Sequence, residues 1–146
     1  MNALDVNAAA ARARDFYENL APGDVDRLAD VYAPNAYFRD PFNEVRGIPE
    51  IRRIFGQMFE QLADCRFKVL EMVVDHRGAM LTWDMTFRMR RYRPDRMQTI
   101  HGATHLKFDP AGRIVYHRDY WDAAEELYEK LPVIGTVMRW FRRRLG

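Results

Sequence analysis

Two acidic residues of this chain lie in unusually aromatic company. Asp40 ends the run Tyr32-Ala33-Pro34-Asn35-Ala36-Tyr37-Phe38-Arg39-Asp40 before Pro41-Phe42, and Asp119 lies within Tyr116-His117-Arg118-Asp119-Tyr120-Trp121. A carboxylate in an apolar setting is costly to ionise unless it is partnered or used. Acid–base chemistry is the use that fits: Asp40 or Asp119 as general base, with His117 as proton relay. Each residue also has a plainer structural use. Asp40 can cap the Asp-Pro bend by accepting backbone N–H bonds. Asp119 can pair with Arg39 or Arg118, or cap a helix starting near Asp122, and His117 can be a satisfied core histidine. Tyr17, Tyr32 and Thr104 are candidate hydroxyl donors. Phe55, Met58, Phe59, Trp83 and Trp121 are candidate pocket walls.

Other chemistries find little support. His101 and His105 share one face of a strand, but four residues of strand separate them by about 13 Å, too far for one ion. No metal site is expected. There is no GxGxxG, P-loop or Gly-x-Ser-x-Gly pattern, so no cofactor is expected either. The row Trp83, Met85, Phe87, Met89 reads as core or pocket wall rather than a cofactor box.

The elements that must position these residues follow from periodicity. Residues 7–20 read as a helix capped by Asp5 or Asn7, with Ala9, Ala13, Phe16, Tyr17 and Leu20 on one face. Asp24 caps a second short helix that turns Val25, Leu28, Val31 and Tyr32 inward. Residues 35–42 form a short strand turning at Asp40-Pro41. Gly47-Ile48-Pro49 opens a third helix carrying Ile51, Ile54, Phe55, Met58, Phe59 and Leu62. The period then drops to two. Strands are expected over 66–75, 79–92, 97–108 and 113–121, and helical spacing returns over 122–131 and 133–145. Leu81, Trp83, Met85, Phe87 and Met89 share one face of the second of these strands. Ile100, Gly102, Thr104, Leu106 and Phe108 make the better core face of the third. In the last strand Val115, His117, Asp119 and Trp121 lie on one side, Ile114, Tyr116, Arg118 and Tyr120 on the other. Both sets are half apolar, so alternation leaves the inner side open. Helices segregated from an antiparallel meander indicate an α+β domain, and three helices over a curved sheet leave a cone whose open end is a pocket.

The totals agree. A chain of 146 residues suits one domain, residues 1–146, with one sizeable core. Its net charge of +2 supplies no field for nucleic acid. All but Lys68, Lys107 and Lys130 of its 23 basic residues are arginine, which a coding bias explains as well as anion recognition. The one cysteine, Cys65, excludes an intrachain disulfide, and a reducing, cytoplasmic setting fits. No signal peptide or membrane span is expected. The tail Met138-Arg139-Trp140-Phe141-Arg142-Arg143-Arg144-Leu145 is basic and amphipathic. It is expected to pack on the domain, on the pocket mouth or on a partner subunit rather than on a membrane surface.

Gly23-Asp24-Val25, Val31-Tyr32-Ala33, Asp40-Pro41-Phe42 and Gly47, together with Phe108-Asp109-x-x-Gly112-Arg113-Ile114 and Tyr120-Trp121, resemble the nuclear-transport-factor-2-like superfamily. This is the cone fold of ketosteroid isomerases, SnoaL-type polyketide cyclases, scytalone dehydratase and limonene epoxide hydrolase. The resemblance spans residues 8–122 and leaves 123–146 as a helical extension. It implies that Asp40 matches the isomerases' general base. Their oxyanion-binding tyrosine falls at Phe16, with Tyr17 about 100° further around the helix, and their protonated aspartate falls at Thr104. Lacking both donors, the site is poorly built for an enolate, since one such donor is typically worth about 3–4 kcal/mol. The resemblance also matches Asp119, two residues before Trp121, to the cyclases' base, and turns His117, Asp119 and Trp121 into the cavity.

The expected function is therefore binding of an apolar small molecule, with isomerase, cyclase, dehydratase or hydrolase chemistry. The alternative is a non-catalytic carrier or interaction module. A homodimer through the outer sheet face, carried by Tyr116, Arg118 and Tyr120, is implied by the resemblance.

Overall fold

Asp5 starts the first helix by accepting the Ala8 N–H at 3.1 Å, and α1 runs Val6–Glu18. The computed structural model describes residues 5–126, 139–140 and 143–145. Ala9, Ala10 and Ala13 are buried with Tyr17, and these small side chains let α1 lie close on the sheet. A kinked 3₁₀ segment follows over Pro22–Asp30. Asp24 does not stand at its cap. It lies inside the first turn and reaches back to the Ala21 N–H at 2.9 Å.

Tyr32 opens the next element rather than closing that helix. β1 runs Tyr32–Arg39 and β2 Glu44–Arg46. The irregular register between Tyr32 and Tyr37 contains Pro34, which has no N–H to give to a ladder. α2, Ile48–Gln61, begins after Gly47, whose φ of +98° favours glycine. Ile51 and Phe55 are its buried residues. Four strands complete the sheet: β3 Leu62–Asp75, β4 Gly78–Met89, β5 Met97–Phe108 and β6 Ile114–Tyr120.

The curved, unclosed sheet has the order β2-β1-β6-β5-β4-β3. β3 to β6 form the expected antiparallel meander. β1, however, lies parallel to β6, with Phe38 opposite His117 and Arg39 opposite Arg118. Strand periodicity carries no signal for that pairing, because it joins the two ends of the fold.

The inner faces follow the alternation in β4 and β5. Ala79, Leu81, Trp83, Met85 and Phe87 are buried, as are Ile100, Thr104 and Leu106. β6 does not alternate simply. Lys107 pairs with Tyr116 but Phe108 pairs with Ile114, so one extra residue bulges from β6. Ile114 and His117, assigned to opposite sides by strict alternation, are thereby both buried.

Beyond β6, Asp122 accepts the Glu125 N–H at 3.1 Å and caps α3, Ala123–Glu126. The rest of the expected helix over 122–131 and most of that over 133–145 lie outside the described residues. Among the described residues no helix is long and apolar enough to cross a membrane.

Candidate functional site

The bulge in β6 aims His117 and Asp119 inward, and the register sets their neighbours. Asp119 stands opposite Thr104 on β5, and Trp83 on β4 stands opposite Gly102. Gly102 is needed there, since a Cβ at this position would lie 2.6 Å from the Trp83 indole. We expect Gly102→Ala to displace Trp83 and cost about 1–3 kcal/mol, read by chemical denaturation.

A directional hydrogen-bond chain results. Trp83 Nε1 donates to Thr104 Oγ1 at 2.8 Å, and Thr104 donates to Asp119 Oδ1 at 2.6 Å. An indole N–H can only donate, so the threonine hydroxyl accepts from Trp83 and passes its own hydrogen to the carboxylate. His117 Nε2 reaches the same Oδ1 at 2.7 Å. Oδ1 thus accepts Thr104's proton, and the network assigns the imidazole proton to Nε2. His117 Nδ1 then faces two phenols, Tyr32 at 2.7 Å and Tyr17 at 3.0 Å, which are themselves 2.8 Å apart. Tyr17 comes from the last turn of α1 and Tyr32 from the start of β1.

Burial drives the pKa of both phenols far above the ordinary tyrosine value. Tyr17 is pushed further by Asp119, and Tyr32 by Tyr17 and then Asp119. Both therefore act as neutral hydroxyls. In the unfolded chain they ionise near pH 10, so above that pH the unfolded state binds fewer protons than the folded one. Stability should fall as pH rises past about 10, by about 1.4 kcal/mol per pH unit for each phenol. Equilibrium unfolding at several alkaline pH values should show a shallower slope for Tyr17→Phe.

Asp119 is where this chain meets a cavity of about 810 Å³. Phe55, Met58 and Trp121 line it, as expected, and so does Asp40. Among the described residues no donor reaches Asp119 Oδ2. Neither arginine named as a partner claims the carboxylate: Arg39 lies 3.7 Å from Glu44, and the Arg118 guanidinium sits 4.6 Å over the Tyr120 ring. Asp40 is differently placed. Its Oδ1 accepts the N–H groups of Phe42 at 2.8 Å and Asn43 at 2.7 Å, and the Asn43 amide holds both oxygens. This is the turn arrangement open to an aspartate before proline. A more open groove of about 510 Å³ shares Asp40, Asp119 and Trp121 with the cavity.

The remaining expected residues separate into layers. Tyr17, Tyr32, Trp83, Thr104 and His117 stand behind Asp119 rather than in the cavity wall, and Phe59 is not part of that wall. The hydroxyl of Thr104 is spent on Asp119 and that of Tyr17 on the histidine cluster. Phe87, read from the sequence as core or pocket wall, and Ile100, placed on the core face of its strand, both line the cavity, and so do Phe38 and Tyr92, which were not singled out. Tyr92 could not have been found from periodicity, because it lies in the loop after β4. His101 and His105 are on other business: His101 contacts Asp84, and His105 meets the Tyr116 ring edge-on. Among the described residues no cluster of three or more His, Cys, Asp or Glu could hold a metal.

The sequence profile of the SnoaL-like domain matches residues 13–117. Three solved structures illustrate the fold similarity. An NTF2-like protein of unknown function from Burkholderia pseudomallei is 18% identical, with TM-score 0.69 over 80% of this chain and 92% of that one. An LEH-like epoxide hydrolase from M. tuberculosis is 14% identical, with TM-score 0.71 over 97% and 96%. SalBIII, an epoxide hydrolase/cyclase-like enzyme with a role in pyran ring formation in the polyether salinomycin, is 16% identical, with TM-score 0.70 over 81% and 93%. At these identities the likeness is one of fold. No curated protein matches the sequence.

Proposed function

Because this chain belongs to the SnoaL-like domain family, we propose that it binds an apolar, oxygen-bearing small molecule in the cone cavity and acts on it by cofactor-independent acid–base catalysis. Asp119 is the general base. The observation that carries this is the state of its two oxygens. Oδ1 is fixed by Thr104 and His117, while Oδ2 has no protein donor among the described residues and its carboxylate lines the cavity. A base so held needs no reorganisation when it takes a proton.

The donors left over favour one reaction class. Enolate chemistry needs hydroxyls aimed at a developing oxyanion, and Tyr17 and Thr104 are committed elsewhere. Activation of a hydroxyl needs only the base. Asp119 accepts the proton of a ligand hydroxyl, or of water, as that oxygen bonds to an epoxide carbon of the ligand; the carbon's bond to the epoxide oxygen breaks in the same step, the alkoxide so formed takes a proton from water, and Asp119 returns its own to solvent. The products are those of cyclisation or hydrolysis, in line with the epoxide hydrolase and cyclase-like neighbours. His117 holds Asp119 from behind, and Asp40 shapes the rim.

One observation favours a second reading, a non-catalytic carrier. With Asp40 spent on its turn, the remaining carboxylate beside that of Asp119 among the described residues lining the cavity is Glu60, exposed near the end of α2, and no acid is hydrogen-bonded to Asp119. Mass spectrometry of small molecules co-purifying with wild type and Asp119→Asn separates the two. A catalyst yields product or nothing from wild type and unconverted ligand from the variant. Recovery of the same unconverted molecule from both would support the carrier.

A further inference from the structure

Tyr92 lines the same cavity from the loop between β4 and β5. Its hydroxyl is buried and has no hydrogen-bond partner, the only such side-chain atom among the described residues. Elsewhere the fold is strict about this: Tyr17, Tyr32, Trp83, Thr104 and His117 all find partners. Buried hydroxyls are almost always paired, because an unpaired one forfeits its hydration for nothing. The phenol is also not loosely held. The loop is pinned by Arg90 N–H on the Gln61 carbonyl at 3.0 Å and by Arg88 on the Asp95 carbonyl at 2.8 Å, and the Arg93 guanidinium covers the Tyr92 ring at 5.4 Å.

The register separates Tyr92 from Asp119. Asp119 is level with Thr104 on β5, whereas Tyr92 lies beyond the Arg88–Met97 pair. Those levels are roughly 20 Å apart along the strand before side chains reach inward. Phe87, Met89, Ile100 and Leu62 give the cavity a largely apolar wall, to which Gln57, Glu60, Gln61 and Arg91 add polar groups.

We propose that the unpartnered hydroxyl of Tyr92 is a polar contact of the cavity remote from Asp119, so that its ligand carries two oxygen functions joined by an apolar skeleton. One oxygen meets Asp119. The other, a hydroxyl or carbonyl, completes Tyr92. This rests on the cavity being a ligand site, as proposed above.

The test uses 1-alkanols from octanol to dodecanol and the matching α,ω-diols, titrated calorimetrically into the full chain and into Tyr92→Phe. At the best-fitting length, the affinity ratio of diol to alkanol should fall about fivefold to tenfold in Tyr92→Phe, the worth of one net hydrogen bond. The melting temperature of Tyr92→Phe without ligand should not fall, because no protein hydrogen bond is lost. An unchanged ratio overturns the role of Tyr92 while leaving the cavity reading in place. A clear drop in melting temperature also overturns it, since the hydroxyl then serves the fold. If no probe of either series binds wild type, the cavity reading fails and this inference with it.

Discussion

Asp119→Asn should lower turnover of the captured ligand by about 10²–10⁴-fold, the usual contribution of a general base. The substitution is nearly isosteric. The asparagine carbonyl can still accept from Thr104 Oγ1 and His117 Nε2, which lie 2.6 and 2.7 Å from the native oxygen. What changes is the atom facing the cavity, from a proton acceptor to an amide N–H₂. Thermal unfolding should therefore move little while turnover collapses. Asp40→Asn supplies the contrast. Its carbonyl can still accept the Phe42 and Asn43 N–H groups, so the turn survives and turnover should fall far less. Rates followed by mass spectrometry on both variants check this. A larger loss from Asp40→Asn than from Asp119→Asn would move the base to the rim of the cavity and end the present assignment.

The second large effect is on stability. His117 is 3% exposed and gathers contacts from α1, β1 and its own strand. His117→Leu keeps the volume but removes every one of those bonds. Tyr17 and Tyr32 keep each other at 2.8 Å, and Asp119 keeps Thr104, so the network is thinned rather than emptied. A buried acceptor and a buried donor left short typically cost about 1–3 kcal/mol each. We expect a loss of about 3 kcal/mol, which lowers the melting midpoint by roughly 10 °C in a domain of this size. Tyr32→Phe alone should cost about 1 kcal/mol. The double variant should show coupling of about 0.5–3 kcal/mol, because both changes act on one bond. Strict additivity in a double-mutant cycle would mean that the cluster is not energetically connected.

These two residues also show where sequence periodicity stops being informative. In β4, five alternate apolar residues in a row leave one arrangement that buries them, and the structure buries four of them, Leu81, Trp83, Met85 and Phe87, with Met89 half-buried. In β6, two interleaved sets of mixed polarity leave both faces open. Resemblance turned His117 and Asp119 inward, and the structure agrees, but it adds a bulge that brings Ile114 in as well. A bulge is a property of two strands in register, and one strand's pattern cannot contain it.

Local chemistry was legible: the Asp5 cap, the glycine and proline opening α2, the turn at Asp40-Pro41, the helix and strand periods, and with them the α+β class. These depend on residues a few positions apart, whose backbone preferences and spacing act within a single element. The site was decided by tertiary structure. Tyr17 and His117 are 100 residues apart, and β1 lies parallel to β6, which pairs Tyr37 with Tyr116. Which acid keeps a free oxygen depends on which donors arrive from other elements. That competition among distant groups for one carboxylate is settled only when the sheet has formed and α1 has packed on it.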